Sequence, residues 1–259
     1  MSNMKMALAA MMAAVSLPLA ARAEPACTEL VITGHPANPP VTWASGGAIV
    51  GAAPERVALV ARDLGVARVV SRDFGSWEAV QRAARRGQVD VIAGIYKNEA
   101  RTRYLHYVEP PFMADPVVVA VRRGEGFGFK KWQDLKARRG VATAGESRGD
   151  RFDDFMKSEL TVFRVPGVEQ AFAALLNIEA DYLIVGLYQG RDEARRLGIE
   201  EKVDFLPIKL ETADVYLAFS KKSACYKALG SRFAARLEAA VRDGRARGLL
   251  ESAEKQLER

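Results

Sequence analysis

Short apolar segments alternate with amphipathic helices along most of this chain. In the clearest example, a helix over 77–86 ends at Gly87 and is followed by a buried strand over 89–93. Strands that alternate with helices predict mostly parallel sheets with helices on their faces. The pattern restarts after 117–121 and again near Val215. This predicts an α/β protein of two lobes, in which the chain crosses twice and returns to the first lobe at its end.

The first 23 residues predict an export signal. Lys5 precedes an almost entirely apolar run over 6–19, and Ala21 and Ala23 are the small residues that a signal peptidase reads. The run is too short to span a bilayer comfortably. We therefore expect cleavage after Ala23 and a periplasmic mature protein.

The two cysteines fit an oxidising compartment. Cys27 lies just before the first strand, and Cys225 lies near the start of the C-terminal helical region. A disulfide between them would tie the two ends of one lobe together. Two free thiols are the alternative that the sequence leaves open.

The net charge argues for an anionic ligand and against nucleic acid. The formal charge is +6, and removal of Lys5 and Arg22 with the signal leaves +4. The basic residues are spread along the chain and form no stripe interleaved with aromatics, so we predict no nucleic-acid partner. His35 and His106 are far apart and lack ligand spacing, so we expect no metal and no cofactor. His35, next to a proline-rich loop, is a candidate pocket residue.

Arg101 is the candidate binding residue with the clearest local signal. The strand over 89–93 ends at Gly94, and a polar loop carries Arg101 seven residues later. This places a guanidinium at the carboxyl end of a strand, where open α/β sheets usually bind ligands. There it can hold a carboxylate through two parallel hydrogen bonds. The alternative is a surface arginine that pairs with Glu99 or Glu109.

Several short motifs together give a family resemblance. They are Pro39-Pro40-Val41, 47–51 with Glu55, 64–66, 77–80, Gly87 with Asp90, Gly94 and Arg101, Tyr107 with 110–112, and 145–147. In this order they resemble the periplasmic solute-binding proteins of ABC importers, in the polar amino-acid type of family 3. The resemblance covers essentially the whole mature chain.

The resemblance implies a type II periplasmic-binding-protein fold. Each lobe would be a mostly parallel sheet with flanking helices, and two hinge crossovers would join the lobes. Lobe 1 would hold residues 24–117 and 215–259, and lobe 2 would hold residues 118–214. Such a protein is not an enzyme; as a monomer, it closes on a small carboxylate-bearing solute and delivers it to a membrane ABC permease.

The resemblance also implies a set of ligand-binding residues. Arg101 would hold the ligand carboxylate from lobe 1, and lobe 2 would add polar contacts near a helix N-terminus. The full set is Arg101, Trp77, Tyr96, Gly94, Asn38, Trp43, Ser147, Glu146, Arg148 and Tyr188.

Three positions depart from the pattern of amino-acid binders. Gly186 stands where these proteins usually carry an aspartate for the ligand ammonium, and Tyr96 stands where they carry a serine or threonine. Asn38 replaces the aromatic residue that stacks on the ligand. The solute is therefore an organic acid, an aromatic acid or an amino acid held differently, for which Tyr188 or Glu146 could supply replacement contacts.

Two other functions stay open at this point. The first is a periplasmic dehydratase on the same fold, acting on a cyclohexadienyl acid, with Glu146 as the buried general acid. The second is a sensor that reports a bound ligand to a membrane receptor, because sensing needs the same closure as transport.

Overall fold

The computed structural model describes residues 27–244, 248–249 and 252, and the predicted export signal lies outside them. The strands are β1 (Glu29–Gly34), β2 (Ala37–Asn38), β3 (Thr42–Ser45), β4 (Ala48–Val50), β5 (Arg68–Ser71), β6 (Val91–Tyr96), β7 (Leu105–Arg122), β8 (Arg139–Thr143), β9 (Thr161–Val165), β10 (Tyr182–Gly186), β11 (Val203–Phe205) and β12 (Glu211–Ser220). The α-helices are α1 (Ala52–Asp63), α2 (Trp77–Arg86), α3 (Glu99–Thr102), α4 (Asp150–Glu159), α5 (Val168–Leu176), α6 (Leu187–Arg196) and α7 (Ala224–Arg242). Within these described ranges, no helix is both long and apolar enough to cross a membrane.

One large sheet runs through the molecule in the order β5-β1-β6-β12-β7-β10-β8-β9, and β11 also pairs with β7. Its two ends are parallel: β5, β1 and β6 at one end, and β10, β8 and β9 at the other. The two middle strands, β12 and β7, are antiparallel to each other and to their outer neighbours. A small sheet, β2-β3-β4, holds the hairpin near the start of the chain.

The strands β7 and β12 connect the two parallel ends. Their pairing runs from Leu105 opposite Ser220 to Val117 opposite Glu211. The segment over 117–121, predicted as a separate strand, is the last part of the 18-residue strand β7. Prolines earlier in β7 hide its length in the sequence, because proline donates no ladder hydrogen bond and is unusual inside a sheet.

The buried apolar side chains form two groups. One group draws on residues 30–108 and 215–237, and includes the fully buried Phe233 where α7 packs. The other draws on residues 117–213, and includes the fully buried Phe172 of α5. Each end of the sheet therefore has its own core, and the crossover strands join the two cores.

A disulfide joins Cys27 to Cys225, with the two Cα atoms 5.1 Å apart. It ties the residues before β1 to the first turn of α7. Of the two alternatives left open by the sequence, the structure therefore has the disulfide.

Two local predictions near Gly94 were wrong. The strand β6 does not end at Gly94 but passes through it to Tyr96, and Arg101 lies in the short helix α3 and not in a loop. Gly94 marks a close approach of chains: its φ is +80°, and a Cβ there would lie 2.8 Å from Val41 Cγ1. The helix α6 was not predicted, because its sequence is mostly polar and contains Gly190.

Candidate functional site

A small cavity of about 20 Å³ lies beside the carboxyl end of β6, between residues of the two cores. Its lining residues are His35, Asn38, Trp77, Gly94, Ile95, Tyr96, Arg101, Glu146, Ser147 and Gln189. We call this space the ligand cavity. Seven of the ten predicted ligand-binding residues line it, and Trp43, Arg148 and Tyr188 are outside its lining.

Arg101 is held in a fixed orientation at the ligand cavity. The side chain of Asn98 caps α3 and accepts a hydrogen bond from the Arg101 backbone N–H at 2.8 Å. The guanidinium donates from Nη1 to the Tyr96 carbonyl at 2.8 Å and from Nη2 to the Gly145 carbonyl at 3.2 Å. Its carbon lies 5.4 Å from the centre of the Trp77 ring. Burial lowers the pKa of Arg101 from its usual value, and the group stays a cation.

The alternative of a surface arginine is wrong. Arg101 is only 4 % exposed. Glu109 pairs with Lys97 at 2.9 Å, and Glu99 lies 3.7 Å from Arg103. The sequence could not decide this point, because the burial of Arg101 depends on residues that follow β8 much later in the chain.

Glu146 is the buried anion of the site. One carboxylate oxygen lies 2.5 Å from Arg148 Nη2, and the other lies 3.5 Å from His35 Nε2 and accepts from Gln189 Nε2 at 3.4 Å. Burial alone would raise the pKa of Glu146, but Arg148, with help from His35 and Gln189, lowers this pKa to about 2. Glu146 is therefore ionised at neutral pH.

His35 and Gln189 connect the two cores across the cavity. His35 Nδ1 accepts a hydrogen bond from the Ala37 backbone N–H at 2.9 Å, so the proton of the neutral ring is on Nε2, toward Glu146. Gln189 donates to the Ala37 carbonyl at 2.6 Å. His35 was a candidate from the sequence. Gln189 was missed, although it follows the carboxyl end of β10 at Gly186 by one turn of α6.

The contact between Tyr96 and Asp115 explains two of the three positions, Tyr96 and Gly186, at which this chain departs from the pattern of amino-acid binders. The Tyr96 hydroxyl donates to Asp115 Oδ2 at 2.5 Å, and Asp115 is fully buried on β7. A Cβ on Gly186 would lie 2.7 Å from Asp115 Oδ2 and 3.4 Å from the Tyr96 hydroxyl. The space that a side chain at position 186 would need is therefore taken by these two residues. Burial raises the pKa of Asp115 to about 6, although the Tyr96 hydrogen bond and Arg148 both lower it.

The N-terminus of α4 is not open to an anion as expected. The carboxylate of Asp153, in the first turn of α4, accepts from the Arg148 backbone N–H at 2.9 Å. The Ser147 hydroxyl also donates to Asp153. Asp153 thus fills the position next to the positive end of the helix, and the hydroxyl of Ser147 is already engaged.

Solved structures of similar fold cover nearly the whole of this chain. A histidine kinase sensor domain with similarity to periplasmic binding proteins is 20% identical and covers 88% of this chain and 95% of that chain, with a TM-score of 0.72. The amino acid ABC transporter substrate-binding protein AbpA from Streptococcus pneumoniae, bound to L-arginine, is 18% identical, with 89% and 96% covered and a TM-score of 0.72. The arginine-bound form of truncated ArgBP from T. maritima is 18% identical, with 83% and 96% covered and a TM-score of 0.64.

These likenesses confirm the predicted fold: an α/β, two-lobed, type II periplasmic-binding-protein fold. A search of curated proteins finds no match to this chain. The family model of bacterial extracellular solute-binding proteins, family 3, matches residues 30–256. The chain therefore belongs to family 3 of the bacterial extracellular solute-binding proteins.

Proposed function

We propose that this protein binds a small carboxylate-bearing solute, an amino acid or a related organic acid, in the ligand cavity. The observation that carries the proposal is the buried, oriented guanidinium of Arg101 at that cavity. A guanidinium has five N–H donors, and the carbonyls of Tyr96 and Gly145 take two of them. The remaining donors suit a carboxylate, which would also neutralise a cation that burial leaves poorly solvated.

The ionised Glu146 supports solutes that carry a cation as well as a carboxylate. It follows Gly145, whose carbonyl contacts Arg101, so the anion and the cation of the site are close neighbours. A zwitterion with adjacent charges fits this arrangement. An organic acid without a cationic group would instead use His35 Nε2–H, Asn38 or Gln189 as donors.

We further propose that two lobes, residues 24–117 with 215–259 and residues 118–214, close on the solute by bending at β7 and β12. The closed protein, a monomer in the periplasm after removal of residues 1–23, would deliver the solute to an ABC permease. The family and the likeness to AbpA, a substrate-binding protein of an amino acid ABC transporter, support this role.

Melting temperatures test the carboxylate clamp. We expect a screen of amino acids and organic acids to contain at least one compound that raises the melting temperature of the wild type. The variant Arg101→Ala should lose the shift, because a hydrogen bond to a charged group contributes about 1.5–3 kcal/mol, or roughly 10- to 150-fold in affinity. Arg103→Ala, an exposed arginine two residues away, is the matched control and should keep it. A shift that survives in Arg101→Ala would contradict the clamp.

A ligand sensor is the second candidate, favoured by the likeness to a histidine kinase sensor domain. A dehydratase has less support. With a pKa of about 2, Glu146 holds no proton at neutral pH and is poorly suited to act as a general acid. Loss of prephenate or arogenate on incubation with the protein would favour the enzyme.

A further inference from the structure

A second space adjoins the ligand cavity. It is an open groove of about 570 Å³ between the end of β6, the start of α4 and residues 211–214 of β12. We call it the crossover groove. Of these two spaces, Tyr96 lines both, Arg148 lines the crossover groove, and Glu146 lines the ligand cavity. The two spaces are therefore neighbours, and the side chains of these three residues separate them.

Of the three residues that separate the two spaces, Arg148 is the one that faces the crossover groove. Its guanidinium lies 2.5 Å from Glu146 Oε2, and its central carbon lies 5.9 Å from the centre of the Tyr96 ring. Arg148 is thus ion-paired with Glu146 and lies over the ring of Tyr96, and both of these residues line the ligand cavity. It is 3 % exposed although it borders an open groove, so its side chain fills the gap between the two spaces.

The position of Arg148 is fixed at both ends. Its backbone N–H donates to Asp153, and its charge is balanced by Glu146. Burial alone would lower the pKa of Arg148, but Glu146, Tyr96, Asp115 and Asp153 together raise it. Pulling the guanidinium away would leave Glu146 as an unpaired buried carboxylate, which is costly. A solute in the cavity therefore meets a rigid boundary at this side.

We propose that Arg148 is a specificity-determining residue that limits the length of the solute by closing the ligand cavity toward the crossover groove. This inference rests on the proposed function, since it concerns the solute that Arg101 holds. A solute anchored by its carboxylate can extend toward the crossover groove only as far as the pair of Glu146 and Arg148. Removal of the Arg148 side chain beyond Cβ would join the ligand cavity to the crossover groove and leave Arg101 intact.

Two homologous series of probes test this limit. One is alanine, 2-aminobutyrate, norvaline, norleucine and 2-aminoheptanoate; the other is the straight-chain acids from propanoate to octanoate. Dissociation constants are measured by calorimetry for the wild type and for Arg148→Ala. We expect wild-type affinity to fall beyond a cut-off length. In Arg148→Ala the affinity should keep rising past that length, by about fourfold for each buried methylene.

The control separates size from charge. Arg148→Met keeps most of the length of the side chain and removes its charge, so it should retain the wild-type cut-off. Arg148→Val leaves a smaller gap and should move the cut-off in the same direction as Arg148→Ala. It takes the place of Arg148→Ala in the experiment if that variant does not fold.

Each outcome bears on a different claim. An unchanged cut-off in the folded alanine or valine variant overturns the length limit and leaves the carboxylate clamp standing. A cut-off that disappears equally in Arg148→Met also overturns it, because charge would then be the cause. If no probe binds the wild type or any variant, the length limit fails, and the melting-temperature screen with Arg101→Ala decides separately on the proposed function.

Discussion

The variant Glu146→Gln tests the electrostatics of the site without any ligand. The carboxylate is buried and ion-paired with Arg148, which places its pKa at about 2, compared with 4.5 for an ordinary glutamate. At about 1.4 kcal/mol for each pKa unit, this difference corresponds to about 3 kcal/mol. The pKa is lowered by folding, so this stability is present above about pH 4.5 and is lost as the pH falls through about 2.

The assay is urea unfolding of the disulfide-bonded protein at a series of pH values. Between about pH 6 and pH 2, the free energy of unfolding of the wild type should fall by about 3 kcal/mol more than that of Glu146→Gln. Glutamine keeps the acceptor for Gln189 but cannot neutralise Arg148, so the variant should already be less stable at neutral pH.

Glu179→Gln is the matched control, because Glu179 is an exposed carboxylate of the same type in the second core region. It should follow the wild-type pH profile closely. If Glu146→Gln and the wild type lose the same stability on acidification, Glu146 is not the strongly stabilised anion described above, and the reasoning is refuted.

Two further predictions concern Asp115 and the disulfide. Folding raises the pKa of Asp115 from 3.8 to about 6, so wild-type stability should fall as the pH rises through this range. Asp115→Asn should remove this loss, about 3 kcal/mol, in the same unfolding series; an unchanged loss would argue against burial of the charge. The double variant of Cys27→Ser and Cys225→Ser should lose about 4 kcal/mol of stability, measured in urea at neutral pH. Equal stability of the variant and the oxidised wild type would contradict a stabilising role for the disulfide.

Local signals in the sequence predicted the regular elements well. The predicted helix over 77–86 matches α2 residue for residue, because a polar residue caps its start and Gly87 adopts the left-handed conformation at its end. The helix α6 has no comparable apolar stripe and was not recognised, and β7 contains prolines, so only its last part, over 117–121, was predicted. These elements are specified by their neighbours in the fold and not by their own pattern.

The residues of the candidate site also divide into those with a local sequence signal and those specified by neighbours in the fold. Arg101 could be found because it follows a buried strand by a short, recognisable spacing. Asp115 could not, because its surroundings are created by Tyr96 and Gly186, which are distant in the chain. Tyr188 was chosen in place of Gln189 because, without a predicted helix, the direction of side chains after β10 was unknown.

The antiparallel pairing of β7 with β12 has a consequence for how the chain could be varied. Val117 lies opposite Glu211, so the segment between these residues begins and ends at points about 5 Å apart. The middle of the chain is thus an insertion with adjacent ends, an arrangement that tolerates exchange of whole segments. Glu146, Ser147 and Gln189 belong to this insertion, whereas Arg101 and Trp77 do not. A transplanted middle segment would therefore change three of the ten residues that line the cavity and would leave Arg101 and Trp77 unchanged.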